Sequence, residues 1–365
     1  MHWAALNGSR KHGSRNHGPH RGERYFRGHW GARLGAAAGL IGSLLGSGCS
    51  FNLPARTICT TGDCTGDMGS AVDMAKDPTD PNLAGPFQVA VVNINPAQPQ
   101  LATGQLFLPS DDRTALSSRQ NKYPLVLFAP AQYLDTAQLA PYAQRLASHG
   151  IIVALYRPLT ESDQAAYRQT GIDLISYLLG GTEPAVTTHI DETHIGLTGY
   201  NLGAQVSVTI AAQMQMLRGL FLLDPQVVVG LTSPVDGLTA MAAVTLAKSQ
   251  PVLIIGEQVS KTGKPGYQPC TPAPTNYEQY LAASPTGTIA VNFVNAAHPD
   301  FVDVHFDSTC QSGSMAKAET QRLAIKYMTA YFQWALLERT SAQSYLTGSG
   351  FDADARQYTI SRTTK

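Results

Sequence analysis

The stretch Leu197–Val208, LTGYNLGAQVSV, decides how this chain is read. The run THIGLTG that enters it has the short apolar pattern of a buried strand, and the residues after Gly203 have the apolar and small character of a helix. Between them lies the turn Gly199-Tyr200-Asn201-Leu202-Gly203, with a glycine at each end. A strand that turns directly into a helix brings two backbones close together, and glycine permits that approach. An asparagine stands at the middle of the turn.

On both sides of this unit, strands and helices alternate. FQVAVVNI (87–94) and LATGQLFLP (101–109) predict an antiparallel strand pair, and SDDRTALSSRQNKY (110–123) a polar connector. PLVLFAP and IIVALYRP are buried strands separated by the amphipathic helix TAQLAPYAQRLASHG, which Gly150 closes. QAAYRQTGIDLISYLLGG is a second helix, with Ile172, Ile175 and Leu179 along one stripe. After the turn come the strands GLFLLDP, PVLIIGE and TIAVNFVNA, then a helix from Lys317 to about Glu338 with Leu323, Tyr327, Ala330, Trp334 and Leu337 on one face. This order predicts one α/β domain over residues 86–339: a mostly parallel central sheet, an antiparallel N-terminal strand pair and helices on both faces. Residues 340–365 read as a polar C-terminal tail. No internal repeat is visible.

The 365 residues are 43 % hydrophobic and 14 % charged, a composition that builds a substantial core. The formal net charge of zero conceals an asymmetry, because residues 1–48 hold seven Arg or Lys and one acid. The remainder holds 19 basic and 25 acidic residues, a net of −6, a balance that does not favour nucleic acid. The basic opening is followed by LGAAAGLIGSLLGSG (34–48), too short to span a bilayer but suited to the core of a signal peptide. Small residues before Cys49 resemble a bacterial lipoprotein processing site, which implies cleavage and lipidation at Cys49, a membrane anchor, and an exported protein. By the same resemblance Ser50 favours the outer membrane. The other reading is an ordinary secretory signal, giving a periplasmic or secreted protein. Residues 49–85 read as a tether. Beyond Cys49, Cys59, Cys64, Cys270 and Cys310 permit three disulfide connectivities, or four reduced thiols. Cys59 and Cys64, close in sequence, are one expected pair.

The turn, the strand order and two later segments together resemble the α/β-hydrolase superfamily over about residues 87–338. The resemblance is to the branch that holds chlorophyllases, platelet-activating-factor acetylhydrolases and bacterial polyester hydrolases. YPLVLFAP and LAPYAQRLASHGIIVALYRP look like the family's strand, oxyanion loop, first helix and following strand. QPCTPAPTNYEQYL (268–281) looks like the cysteine-containing loop and helix of chlorophyllases, and NAAHPDFVD (295–303) like the H-x-x-F-x-D segment that carries the branch's catalytic histidine. Cys270 and Cys310 resemble the family's late-loop cysteines, which implies a disulfide between them.

With serine in its middle, the turn would be G-x-S-x-G, the nucleophile elbow. The resemblance implies a triad of nucleophile, acid and histidine in that chain order. His298, in the loop after TIAVNFVNA, is the candidate base. His149 falls in a helix-ending turn, His189 and His194 flank the strand before the elbow, and His305 lies too far past the strand end. Asp224, ending GLFLLD, is the candidate acid, and Glu257, ending PVLIIGE, is the alternative. The oxyanion donors implied are the backbone N–H groups of Gln132 and Leu202, although Ala129-Pro130-Ala131-Gln132 departs from the S-H-G-F or S-P-G-F of relatives. Asn201 occupies the nucleophile position. A carboxamide has no usable lone pair on nitrogen and is far too weak an acid to attack as an anion. Asparagine nonetheless tolerates positive φ better than most residues, so the elbow is expected to form.

The sequence therefore predicts an exported relative of carboxylic-ester hydrolases, inactive or strongly impaired, whose cleft takes a small apolar or ester-like ligand. No cofactor and no metal is expected. Two further readings stand beside it. One is an active esterase that uses a water held by His298 and Asp224. The other is a structural or partner-binding lipoprotein that uses the fold as a scaffold.

Overall fold

The computed structural model describes residues 78–94, 101–186, 188–227, 235–246, 251–263, 265–267, 269–273, 275–303 and 310–365. The expected signal peptide 1–48, Cys49, Cys59, Cys64, most of the tether and His305 lie outside the described residues.

In chain order the elements are β1 (Gln88–Asn93), β2 (Leu101–Ser110), β3 (Tyr123–Ala129), α1 (Ala140–Ser148), β4 (Ile152–Pro158), α2 (Gln164–Leu179), β5 (Ile190–Tyr200) and α3 (Leu202–Ala211). There follow β6 (Leu217–Leu223), α4 (Val235–Ala242), β7 (Leu253–Glu257), α5 (Tyr277–Ala283), β8 (Ile289–Phe293), α6 (Lys317–Ala335), α7 (Ser344–Thr347), α8 (Ser349–Gln357) and β9 (Ile360–Thr364). The strands form one sheet in the order β1-β2-β4-β3-β5-β6-β7-β8-β9. Strands β3 to β8 are mutually parallel, while β1, β2 and β9 run antiparallel to their neighbours. This is the mixed sheet of an α/β-hydrolase fold.

The central strands are apolar along their whole length because both faces of the sheet are covered. Along β3, Leu125 and Leu127 face one core and Val126 and Phe128 the other; along β6, Leu220 and Leu222 alternate with Phe221 and Leu223 in the same way. The first core continues into Tyr167, Leu174 and Ile175 of α2 and Val206 and Ile210 of α3. The second continues into Leu146 of α1 and Leu323, Tyr327, Tyr331 and Phe332 of α6.

Residues 340–365, which the sequence leaves as a polar tail, form two short helices and an edge strand. β9 pairs with β8 from Ile289↔Thr364 to Phe293↔Ile360. Its sequence, ISRTT, carries a single large apolar residue, as suits a strand with one neighbour and one open edge. The α8 region is anchored to α6 by the buried Lys326–Asp354 pair at 2.6 Å and by the Tyr327 hydroxyl, which donates to Asp354 at 2.8 Å.

The chain leaves β3 for β4 on one side and later returns to place β5 on the other. That reversal of direction makes the carboxyl ends of β3 and β5 a topological switch point, where open α/β sheets place their sites.

Candidate functional site

The elbow forms at the end of β5. Tyr200 is the last residue of the strand, Leu202 the first of α3, and Asn201 makes the whole turn with φ 54° and ψ −117°. Asparagine's tolerance of positive φ belongs mainly to the left-handed helical region, and this ψ lies outside it. The conformation is therefore strained by an amount on the order of 1–3 kcal/mol. The flanking glycines are required by contact. A Cβ on Gly199 would lie 2.2 Å from the Gly203 carbonyl, and one on Gly203 would lie 2.0 Å from the Ala129 carbonyl oxygen. The elbow thus presses directly against the loop that leaves β3.

Asp224 follows β6 at the neighbouring carboxyl end, with φ 43°. His298 opens a short 3-10 turn, His298–Phe301, beyond β8. These two and Asn201, far apart in sequence, meet in one network. The Asp224 Oδ2 lies 2.6 Å from His298 Nδ1. With the Nδ1 proton on that carboxylate, Nε2 is an acceptor, and the Asn201 Nδ2 donates to it at 2.8 Å. The same Nδ2 donates to Gln226 Oε1 at 2.9 Å, and Asn201 Oδ1 accepts the Leu202 N–H at 2.5 Å. Only this orientation of the amide satisfies all three partners.

The environment holds the ring firmly. The His298 N–H donates to Ser260 Oγ at 2.9 Å. The Tyr200 ring stacks on the imidazole with centroids 4.9 Å apart, and its hydroxyl donates to the His298 carbonyl at 2.8 Å. Asp300 accepts the Ala297 N–H at 2.8 Å and the Gly313 N–H at 2.9 Å, fixing the turn. Burial raises the Asp224 carboxyl from its ordinary value, and the His298 hydrogen bond works against that rise.

Glu257, the alternative acid, ends β7 but does not bond His298. It accepts the Ser260 N–H at 2.8 Å and the Thr271 hydroxyl. Burial, reinforced by the charge of Asp224, pushes its carboxyl up to about 8, so it is protonated at neutral pH. Cys270 and Cys310 form a disulfide with Cα atoms 5.7 Å apart, which ties the loop before α5 to the segment after His298. Gln311, next to Cys310, donates to the Val259 and Thr262 carbonyls of that same region.

Gln132 lies in the tight turn after β3 that the Leu134 N–H closes onto the Ala131 carbonyl at 3.1 Å. That turn is held from outside by Glu161, which accepts the Tyr133 N–H and pairs with Arg157. Three participants have no signal in the sequence: Tyr200 against the imidazole, Gln226 on the Asn201 amide, and Ser260 under the His298 backbone. Their residue types are common in loops and strand ends, and only tertiary contact gives them a role. Among the described residues, no group of His, Cys, Asp or Glu is placed to hold a metal ion.

No protein-family model matches the chain. Among curated proteins it is 23 % identical over 163 residues to Cutinase 1 of Thermobifida cellulosilytica, covering 43 % of this chain and 59 % of that protein. It is 24 % identical over 191 residues to Cutinase cut1 of Thermobifida fusca, covering 50 % of this chain and 57 % of that one. With Cutinase est2 of Thermobifida alba the identity is 25 % over 182 residues, covering 48 % and 56 %. The chain thus spans little more than half the length of these curated relatives.

Proposed function

We propose that this chain, whose α/β-hydrolase fold is related to the cutinases, is an ester-hydrolase scaffold without an attacking atom. It is inactive or strongly impaired toward esters and keeps a cleft for an apolar or ester-like ligand. The observation that carries this reading is the position of the Asn201 carboxamide. Its nitrogen takes the His298 Nε2 lone pair and its oxygen takes the Leu202 N–H. In a serine hydrolase, that lone pair receives the nucleophile's proton and that N–H faces the oxyanion. Here one side chain engages both groups and supplies neither a hydroxyl nor a thiol. In triads of this kind, loss of the serine alone lowers turnover by about 10⁶.

A hydrolytic water activated by His298 and Asp224 would have to displace the Asn201 amide from Nε2, so the geometry favours the silent elbow. Export to an oxidising compartment, with lipidation at Cys49, is part of the proposal. It rests on the sequence of residues 34–49 and on the Cys270–Cys310 disulfide, a bond that persists in such compartments. The test is the rate of hydrolysis of short activated esters by the purified protein. Wild type should be no faster than Asn201→Ala or His298→Ala. Steady turnover that disappears in either variant overturns the reading.

A further inference from the structure

We propose that the site acts on residue 201 itself, hydrolysing the Asn201 carboxamide to leave aspartate at the elbow. Three groups converge on that one amide. Its oxygen accepts the Leu202 N–H at 2.5 Å, its nitrogen lies 2.8 Å from His298 Nε2, and His298 Nδ1 lies 2.6 Å from Asp224 Oδ2. A donor on the carbonyl oxygen and a base beside the departing nitrogen are what amide hydrolysis asks of a site. Most of the surrounding network is buried, but Asn201 and Gln226 are only partly so, which leaves solvent a route to the amide carbon.

The co-reactant is water. The Asn201 N–H must first leave Nε2, a displacement that need happen only once per molecule; the water oxygen then bonds to Cγ of Asn201 while its proton passes to His298 Nε2, and Asp224 holds the resulting imidazolium. The former carbonyl oxygen carries the negative charge and faces the Leu202 N–H. The Cγ–Nδ2 bond then breaks with its electron pair going to nitrogen. The nitrogen takes the proton from Nε2 and leaves as ammonia, which removes the remaining carboxyl proton. Carboxamide and water have become carboxylate and ammonium, with no oxidation or reduction. The competing route to aspartate, attack by the Leu202 nitrogen on Cγ, would pass through a cyclic imide and yield isoaspartate. It is opposed here because Leu202 begins α3 and its N–H is turned onto the side-chain oxygen.

The reaction uses the same pair of residues as the proposed function but does not rest on the absence of ester turnover. One is read as ester hydrolysed, the other as the chemical identity of residue 201. The experiment is tandem mass spectrometry of the peptide carrying residue 201, after timed incubation of the folded protein at neutral pH. The expected result is linear aspartate accumulating in wild type and slowed about 10²-fold in His298→Ala. Asp224→Asn, which keeps the shape of the network, serves as the second variant, and denatured wild type as the reference for conversion without a site. Wild type isolated already as aspartate, beside a His298→Ala protein still carrying asparagine, supports the proposal equally. An amide that stays intact in folded wild type, equal conversion in wild type and both variants, or isoaspartate as the main product overturns it.

Discussion

At the scale of single residues, the site holds two carboxyls in contrasting roles. Asp224 bonds the imidazole, while Glu257 lies near it, uncharged, held by Ser260 and Thr271. The folded protein keeps the Glu257 proton up to about pH 8, whereas the unfolded chain gives it up near the ordinary value of 4.5. Between those values the folded state binds more protons, so stability falls as pH rises through the window. Each pH unit across it is worth about 1.4 kcal/mol per proton, which sums to a few kcal/mol. Urea denaturation at pH 5 and pH 8 should therefore show wild type losing stability and Glu257→Gln losing much less. Equal losses in the two proteins would contradict the assignment. Asn201, Asp224 and His298, which the structure brings into one hydrogen-bonded network, could be picked out in the sequence because each follows a recognisable strand end. The sequence left Asp224 and Glu257 as alternatives, since both end strands with a carboxylate and only the packing shows which one reaches the ring.

At the scale of elements, the strand–turn–helix unit was legible because Gly199 and Gly203, set between apolar runs, suit a sharp reversal from strand to helix and little else. The structure gives their reason in ångströms: the helix start lies against the carbonyls of Ala129 and Pro130, 2.0 and 2.4 Å from where a Gly203 Cβ would sit. Both obstacles are backbone and cannot rotate away. Gly203→Ala should destabilise the protein by about 3 kcal/mol, at the upper end of overpacking costs. Gly287→Ala, with nothing within 4 Å of its Cβ, tests only the strain of φ +90° and should cost less. Thermal melts of the two variants check the order. β9 escaped the sequence reading for a physical reason: an edge strand with one neighbour needs no apolar run, and ISRTT looks like any polar tail. Helix α4 escaped as well, because its short run of small and apolar residues has no clear period.

Across the whole molecule, the parallel strands β5, β6 and β8 deliver the elbow, Asp224 and His298 to one edge of the sheet, and the Cys270–Cys310 bond fastens the outer loops of that edge. The bond spans 40 residues, so the chain-entropy model gives it about 4 kcal/mol. Replacing both cysteines with serine should lower denaturation midpoints accordingly, and an unchanged midpoint would show that the loops hold without it. On the proposed reading, His298 would be the base, Asp224 its orienting acid and the Leu202 N–H a backbone donor, with only the attacking atom missing. The most direct test of that reading is ester hydrolysis by Asn201→Ser, alone and combined with His298→Ala. Serine at position 201 should raise turnover well above wild type, and removing His298 should abolish the gain. A folded Asn201→Ser protein that stays as inactive as wild type, or a gain that survives the loss of His298, would contradict the reading.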